Sequence, residues 1–449
     1  MLNPQSPETV ALIKEFLTVF EPLQISGMSI PRVLIYDYVR YLYQTYGRSD
    51  LTVSSNLTPI AFSNLQTELA GPYPLPQATK GYIYVEGPIS QYILPEYSRI
   101  IKRGTLRRKK SPGAAATSAI YSILNDLLKT HKSHPIFSQA SFDTWIKGLL
   151  NETIDGLNGT MEAITKFQPS CIVFQENNYL HMLRVLSEAA RACRITSVAY
   201  HPLTLLGTSE SAYIYRTLPL FTSYYFSWGK EYQDWMSQYG VPKERVIPVG
   251  CPRFDRMGKI SSNPQKIRAI LNLKEQPFIV LADQQTGKRE AIFRMIWETL
   301  KNQNDIVLVV KLHPHHEGLI ESYRRWSDAD PRIRFVPPLE LTLAELLSEA
   351  VAVVTYFSTV GVEAAFYKTP VITPLFEGNQ PSYQLNRNGG AIPVNNSAEL
   401  ELSLRRLINE PEYKSRILKE QSTYLNYVTI PDQNSTVRFL DTLISLASK

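Results

Sequence analysis

The sequence predicts an α/β protein of two Rossmann-like domains facing each other across a cleft. Two observations carry this reading. Short apolar runs of strand length alternate with helical segments, and the alternation starts afresh after a polar stretch near residues 250–265. At several strand ends, moreover, polarity returns abruptly just where a helix begins, as a parallel sheet with a ligand crevice requires.

The elements follow in order. Glu8–Phe20 reads as a helix, Arg32–Tyr36 as a short strand, Leu57–Pro76 as loops, and Ala115–Lys129 and Phe142–Phe167 as helices. After Pro169 the pattern tightens. CIVF (171–174) reads as a strand, Asn178–Cys193 as a helix, and TSVAYHP (196–202) as a strand ending in His201. Tyr224–Trp228, a helix over Lys230–Tyr239 and VIPVG (246–250) continue the series. GCPRFDRM (250–257) and KISSNPQ (259–265) form the candidate hinge. The second series runs PFIVLAD (277–283), a helix Lys288–Gln303, DIVLVVKL (305–312), a helix near Leu319–Ser327, IRFV, a helix Thr342–Ala350, VAVVTY, a helix Ser358–Lys368 and PVITP. A final amphipathic helix, Gln433–Ser448, is placed to pack back on the first domain. The predicted division is 1–255, 256–430 and a C-terminal helix in 431–449.

Composition excludes little. The chain has 449 residues, 44% hydrophobic and 20% charged, which is ordinary globular chemistry with room for two cores. Cys171, Cys193 and Cys251 are scattered and form no CxxC pair, which predicts reduced thiols, no zinc site and a cytoplasmic setting. No signal peptide or membrane-spanning run is read. The net charge of +6 is mild, but KRGTLRRKK (102–110) concentrates cations. It is expected to lie outside the core, either as a solvated loop or as a contact for anionic lipid head groups, a polyanionic acceptor or nucleic acid, of which nucleic acid is not expected as a partner.

Two segments carry the candidate chemistry. The apolar run ending at Lys311 is followed by His313-Pro314, and the run ending at Thr355 by Ser358-Thr359, with Glu363 one turn into the next helix. A helix start presents unpaired N–H groups, so a phosphate suits it, with the Ser358 and Thr359 hydroxyls adding donors. Lys311 and Lys288 are further phosphate candidates, and Glu363 is a candidate acceptor for ribose hydroxyls. Each residue also has an ordinary role as cap, loop histidine or surface charge. At the first domain's strand ends, His201 and Glu176 are the candidate bases. HPHH (313–316) lacks cysteine or carboxylate partners, and Asp328-Ala329-Asp330 falls between a helix and a strand, so neither a catalytic metal nor a cofactor is expected.

Together, the HP after a buried strand, the S-T-x-x-x-E-A helix start and GCPRFD resemble the GT-B glycosyltransferase architecture. From about Cys171 onward the chain is similar to the bacterial surface-polysaccharide group that includes CDP-glycerol glycerophosphotransferases, capsule Kdo transferases and polysialyltransferases. That resemblance implies a metal-independent transferase moving a sugar from a nucleotide-activated donor to a glycan or lipid-linked acceptor, peripheral to the inner membrane face. His313, Ser358 and Thr359 would hold the donor phosphates. It also favours His201 as base, although Pro202 stands where the glycerophosphotransferases have glycine. Two other readings stand beside it: a non-hydrolysing UDP-sugar 2-epimerase of the same architecture, and a non-catalytic polyanion-binding protein. The epimerase reading requires several acids and a basic group close together in the cleft, a set that the sequence alone does not assemble.

Overall fold

The computed structural model of the protein describes residues 7–46, 81–175, 181–200, 222–238, 241–257, 263–284, 286–303, 305–312, 326–328, 330–336, 340–356, 358–376, 385–386 and 388–448. Helix α1 (Pro7–Val19), a small hairpin of β1 (Gln24–Ile25) and β2 (Met28–Ser29), and α2 (Ile30–Tyr46) begin it. Here the sequence expectation fails, because Arg32–Tyr36 lies inside α2. The apolar run Val33-Leu34-Ile35 resembles a strand locally, yet the buried set Ile30, Val33, Leu34, Tyr38, Tyr41 and Leu42 repeats with helical spacing. Tyr38 stacks on Phe16 of α1 with ring centroids 4.2 Å apart, fixing the helix pair.

The first sheet consists of β3 (Ile83–Glu86), β4 (Ile101–Arg103), β5 (Cys171–Gln175), β6 (Thr196–Tyr200), β7 (Tyr224–Ser227) and β8 (Val246–Pro248). Its order is β4-β3-β5-β6-β7-β8, and every pairing is parallel. Helices α3 (Ala114–Thr130) and α4 (Ala140–Phe167) lie between β4 and β5 in sequence. α4 buries Phe142, Ile146, Leu150, Ile154 and Leu157, a stripe at three- and four-residue spacing. Next come α5 (His181–Ala192) and α6 (Lys230–Gln238). On α5 the buried Arg184 donates to the Val33 carbonyl at 2.7 Å and to Asp37 at 2.5 Å, tying α5 to α2.

The basic stretch 102–110 is not the detached loop that its charge suggests. Lys102 and Arg103 belong to the edge strand β4, and Leu106 is fully buried. Beyond it the chain lies along α4, where the Lys110 N–H donates to the Asp155 carbonyl at 2.8 Å. Arg107 pairs with Glu86, Lys109 with Glu152 and Lys110 with Glu162. Gly159 permits this contact, since a Cβ there would sit 2.8 Å from the Arg108 carbonyl carbon and the Lys110 nitrogen. Cationic side chains at an edge strand also discourage pairing with another sheet.

After α7 (Pro264–Ile270) the second sheet forms from β9 (Phe278–Ala282), β10 (Val307–Lys311), β11 (Ile333–Val336), β12 (Ala352–Val354), β13 (Val371–Pro374) and β14 (Ile392–Val394). Its order, β11-β10-β9-β12-β13-β14, is again parallel throughout and matches the Rossmann order 3-2-1-4-5-6. Its central strands are buried on both faces, which explains their unbroken apolar runs. Helices α8 (Arg289–Asn302), α9 (Leu343–Glu349), α10 (Val360–Phe366), α11 (Ser397–Asn409), α12 (Pro411–Val428) and α13 (Ser435–Ala447) complete the chain. α13 returns to the first sheet, where Phe439 meets Tyr200 and Phe226 edge-on at 5.6 and 5.4 Å.

GCPRFD explains how the halves meet. Gly250 has φ 84° and sits so close to Ser435 that a Cβ would lie 2.3 Å from its Oγ. Asp255 accepts the Ser435 and Thr436 N–H groups at 2.9 and 2.7 Å, satisfying the start of α13. Phe254 packs on Trp228 of the first half and on Phe366 of α10, with centroids 4.9 and 5.2 Å apart. One apolar cluster therefore runs from β3 and β5 through Phe254 and Phe439 to β9 and β12.

Candidate functional site

In an open parallel sheet, the ligand crevice lies at the carboxyl ends of strands where the chain order reverses. The second sheet reverses between β9 and β12, and the first between β3 and β5. Both switch points carry polar side chains in places the core would not choose.

At the second switch point, Asp283 follows β9 and is held by Arg289 of α8 through two bonds of 2.9 and 3.1 Å. Gln284 bridges the crevice, its Oε1 accepting the Thr355 hydroxyl at 3.2 Å and the Tyr356 N–H at 3.0 Å. Lys288 stands at the α8 N-terminus with its ammonium 5.6 Å from the Phe376 ring centroid. Lys311, at the end of β10, donates to the Leu341 carbonyl at 2.6 Å, and burial lowers its pKa. It secures the approach to α9.

Beyond β12, the Ser358 Oγ accepts the Val360 N–H at 3.2 Å, so this serine caps the turn into α10. Thr359 reaches one turn along and donates to Glu363 Oε1 at 3.4 Å. The same oxygen receives Arg253 at 3.1 Å, from the turn at the carboxyl end of the first sheet. Glu363 is half-buried, and the loss of solvent raises its carboxyl pKa while Arg253 opposes the rise. Sequence reasoning found Ser358, Thr359 and Glu363 but missed Arg253, whose partner lies in the other half of the chain. His313, Pro314, His201 and Glu176 fall outside the described residues.

The first switch point adds a residue not anticipated. Glu86 ends β3, is buried, and pairs with Arg107 through Oε1, while its Oε2 has no hydrogen-bond partner among the described residues. Its only local signal is a carboxylate at the end of an apolar strand, IYVE, before Gly87-Pro88. Nearby, Tyr200 is locked in the core by the Trp228 indole N–H at 3.1 Å, and burial lifts its phenol pKa far above the usual range. Asp330, from the DAD spelling, is paired with Arg332 in the turn before β11. Among the described residues no group of three or more His, Cys, Asp or Glu side chains is placed to hold a metal ion. No helix among them is long and apolar enough to cross a membrane.

Comparison with known proteins redirects the functional reading. Residues 216–425 match the family model of UDP-N-acetylglucosamine 2-epimerase. No curated protein matches the chain in sequence. Among solved structures, a Listeria monocytogenes protein designated a UDP-N-acetylglucosamine 2-epimerase superposes with TM-score 0.54 at 15% identity, covering 82% of this chain and 96% of its own. The Neisseria meningitidis UDP-GlcNAc 2-epimerase, bound to UDP-GlcNAc, gives 0.50 at 16% identity, with 81% and 99% covered. The S. aureus MnaA structure with UDP gives 0.53 at 14%, with 82% and 97% covered. These matches correct the sequence expectation of a surface-polysaccharide glycosyltransferase, because the family match is to an epimerase that shares the GT-B-like architecture. The HP, Ser-Thr and cleft signals belong to that architecture and did not separate the two activities. The chain is an α/β protein of two Rossmann-like, parallel-sheet halves with the GT-B-like fold of these enzymes.

Proposed function

We propose that the protein is a non-hydrolysing UDP-sugar 2-epimerase that binds a UDP-linked sugar between the two switch points and inverts its C2 centre. The observation that carries this is the epimerase family match over 216–425, which takes in the entire second sheet and its switch point. In this reading the nucleotide occupies the second half. His313, Pro314, Ser358, Thr359 and Lys288 take the phosphates, and Glu363 accepts from the ribose hydroxyls. The sugar then lies toward the first half, where Glu176, His201 and Glu86 supply acid and base groups.

Inverting a carbon that carries hydrogen, without net oxidation, requires a proton to leave one face and a proton to return to the other. Groups on two sides of the ring are therefore needed, and a cleft between two switch points provides them. The acidic set that the sequence did not assemble gains a member in Glu86. The test is proton NMR of UDP-N-acetylglucosamine incubated with the protein in D2O. Loss of the C2 proton signal with appearance of the C2 epimer is expected. Binding of the nucleotide sugar with no exchange at C2 would overturn the proposal.

A further inference from the structure

We propose that Arg253 is a positioning residue of the nucleotide pocket: it crosses from the carboxyl end of the first sheet to fix the Glu363 carboxylate for a ribose diol. The inference rests on the UDP-sugar reading above and assigns a role to a residue of the opposite half. Both partners of Glu363, Arg253 at 3.1 Å and Thr359 at 3.4 Å, take Oε1. Oε2 is thereby left with no hydrogen bond from any described residue, on a side chain only 14% exposed. This oxygen is not one of the fully buried, unpartnered polar atoms of the described residues, so it is open to a ligand, and vicinal hydroxyls supply donors to a carboxylate, which only accepts.

Arg253 is itself well placed. Its guanidinium lies 5.9 Å from the Trp228 ring centroid and 5.1 Å from that of Phe254, and Phe254 is wedged against Phe366 of α10. The cation is therefore held by the packing that joins the two halves. Removing it would leave the half-buried Glu363 without a counter-charge, and the carboxyl would take up a proton at a higher pH. A neutral carboxyl is a poorer acceptor for hydroxyl donors.

The surroundings keep the prediction specific. From its own helix Glu363 meets only the Thr359 hydroxyl, and the charged group acting on it among the described residues is Arg253. No ionisable side chain of α9 or α12, which also pack on α10, acts on it among those residues. Cys251 and Tyr92 lie within electrostatic reach of the arginine, and Arg256 within reach of Tyr92. Burial pushes the Cys251 thiol up to about 11 and raises the Tyr92 phenol, so both stay neutral through the physiological range.

The experiment is calorimetric titration with UDP-N-acetylglucosamine from pH 6 to 8.5, since its diphosphate is esterified at both ends and does not titrate there. Wild type should bind with nearly constant affinity. Arg253→Gln should bind about tenfold more weakly at pH 6 and recover as pH rises, because Glu363 regains its charge. Arg253→Lys should restore most of the low-pH affinity, and adding Glu363→Gln to Arg253→Gln should flatten the pH curve. An Arg253→Gln curve parallel to wild type, with an unchanged melting temperature, would overturn this role alone. Failure of wild type to bind the nucleotide sugar at any pH would overturn the UDP-sugar reading and this role with it.

Discussion

The two halves are both six-stranded parallel sheets, yet they secure themselves in different ways. The second half is nearly self-sufficient: Arg289 answers Asp283 six residues away, Gln284 ties β9 to β12, and α8 and α11 complete its outer cluster from within. The first half borrows. Its sheet is covered on one face by α13 from the far end of the chain, and α12 lies across α6, where the Tyr427 hydroxyl reaches Asp234 at 3.4 Å. A first half stabilised by α13 gains its full structure only once that helix has docked.

The sharpest way to break this contrast is Phe439→Ala. The ring is fully buried against Tyr200 and Phe226, and its loss should cost about 4 kcal/mol. If the first half borrows its stability, amide exchange should accelerate over β5, β6 and β7 while β9, β10 and β12 remain protected. Equal acceleration in both sheets would show that the halves unfold as one.

Leu106→Ala tests the edge of the first half. Leu106 is buried although it stands in the most cationic stretch of the sequence, so its truncation should lower stability by about 3 kcal/mol. Neutralising Lys109 and Lys110, whose pairs with Glu152 and Glu162 are exposed, should each cost less than about 0.5 kcal/mol. Denaturant titration separates the two. The reverse ranking would restore the reading of this stretch as a detached charged loop.

Glu231 gives the borrowed contact a pH signature. It lies in the first turn of α6, buried where α12 crosses, and burial pushes its carboxyl up to about 8. The folded value exceeds the ordinary one of about 4.3, so the neutral acid suits the folded state. The associated stability is complete below about pH 4 and declines as pH rises toward 8. Glu231→Gln should abolish that decline and stabilise the protein by about 2 kcal/mol at pH 8.5, read as a rise in melting temperature. A mutant that still loses stability between pH 5 and 8 would place the titrating group elsewhere.

The same asymmetry governs what the sequence disclosed. The second half was legible because doubly buried parallel strands are written as runs such as VLVVK, and because Thr342 and Glu345 spell a helix start. In the first half β4 is three residues long, two of them basic, so nothing in Ile-Lys-Arg announces a strand. The five-residue run RVLIY inside α2 has strand composition, and only the spacing of buried residues over the full helix corrects it. Within the site, Ser358, Thr359 and Glu363 share one turn and were visible as a pattern. Arg253 and Glu86 acquire meaning from partners brought near by the fold, Glu363 and Arg107, and no local motif records such pairs.

The smallest expected effect probes the self-sufficient half. Glu345 completes a capping box with Thr342 and also receives Lys266 of α7 at 2.7 Å, and these bonds, that of Lys266 foremost, hold its carboxyl down to about 2. Because the folded value lies below the ordinary one, this stability is present above about pH 4.3 and is lost as pH falls toward 2. The pair is largely solvent-exposed on the lysine side, so Lys266→Met should cost only about 0.5 kcal/mol at pH 7. Thr342→Ala, which removes the cap, should cost about 1 kcal/mol. Glu345→Gln keeps the cap's hydrogen-bonding groups and discards the charge, so it should match Lys266→Met, and the double variant should be no worse than either. Additive losses in that cycle would mean that Lys266 is stabilised by a group other than Glu345, and the second half would then depend on contacts beyond its own turn chemistry.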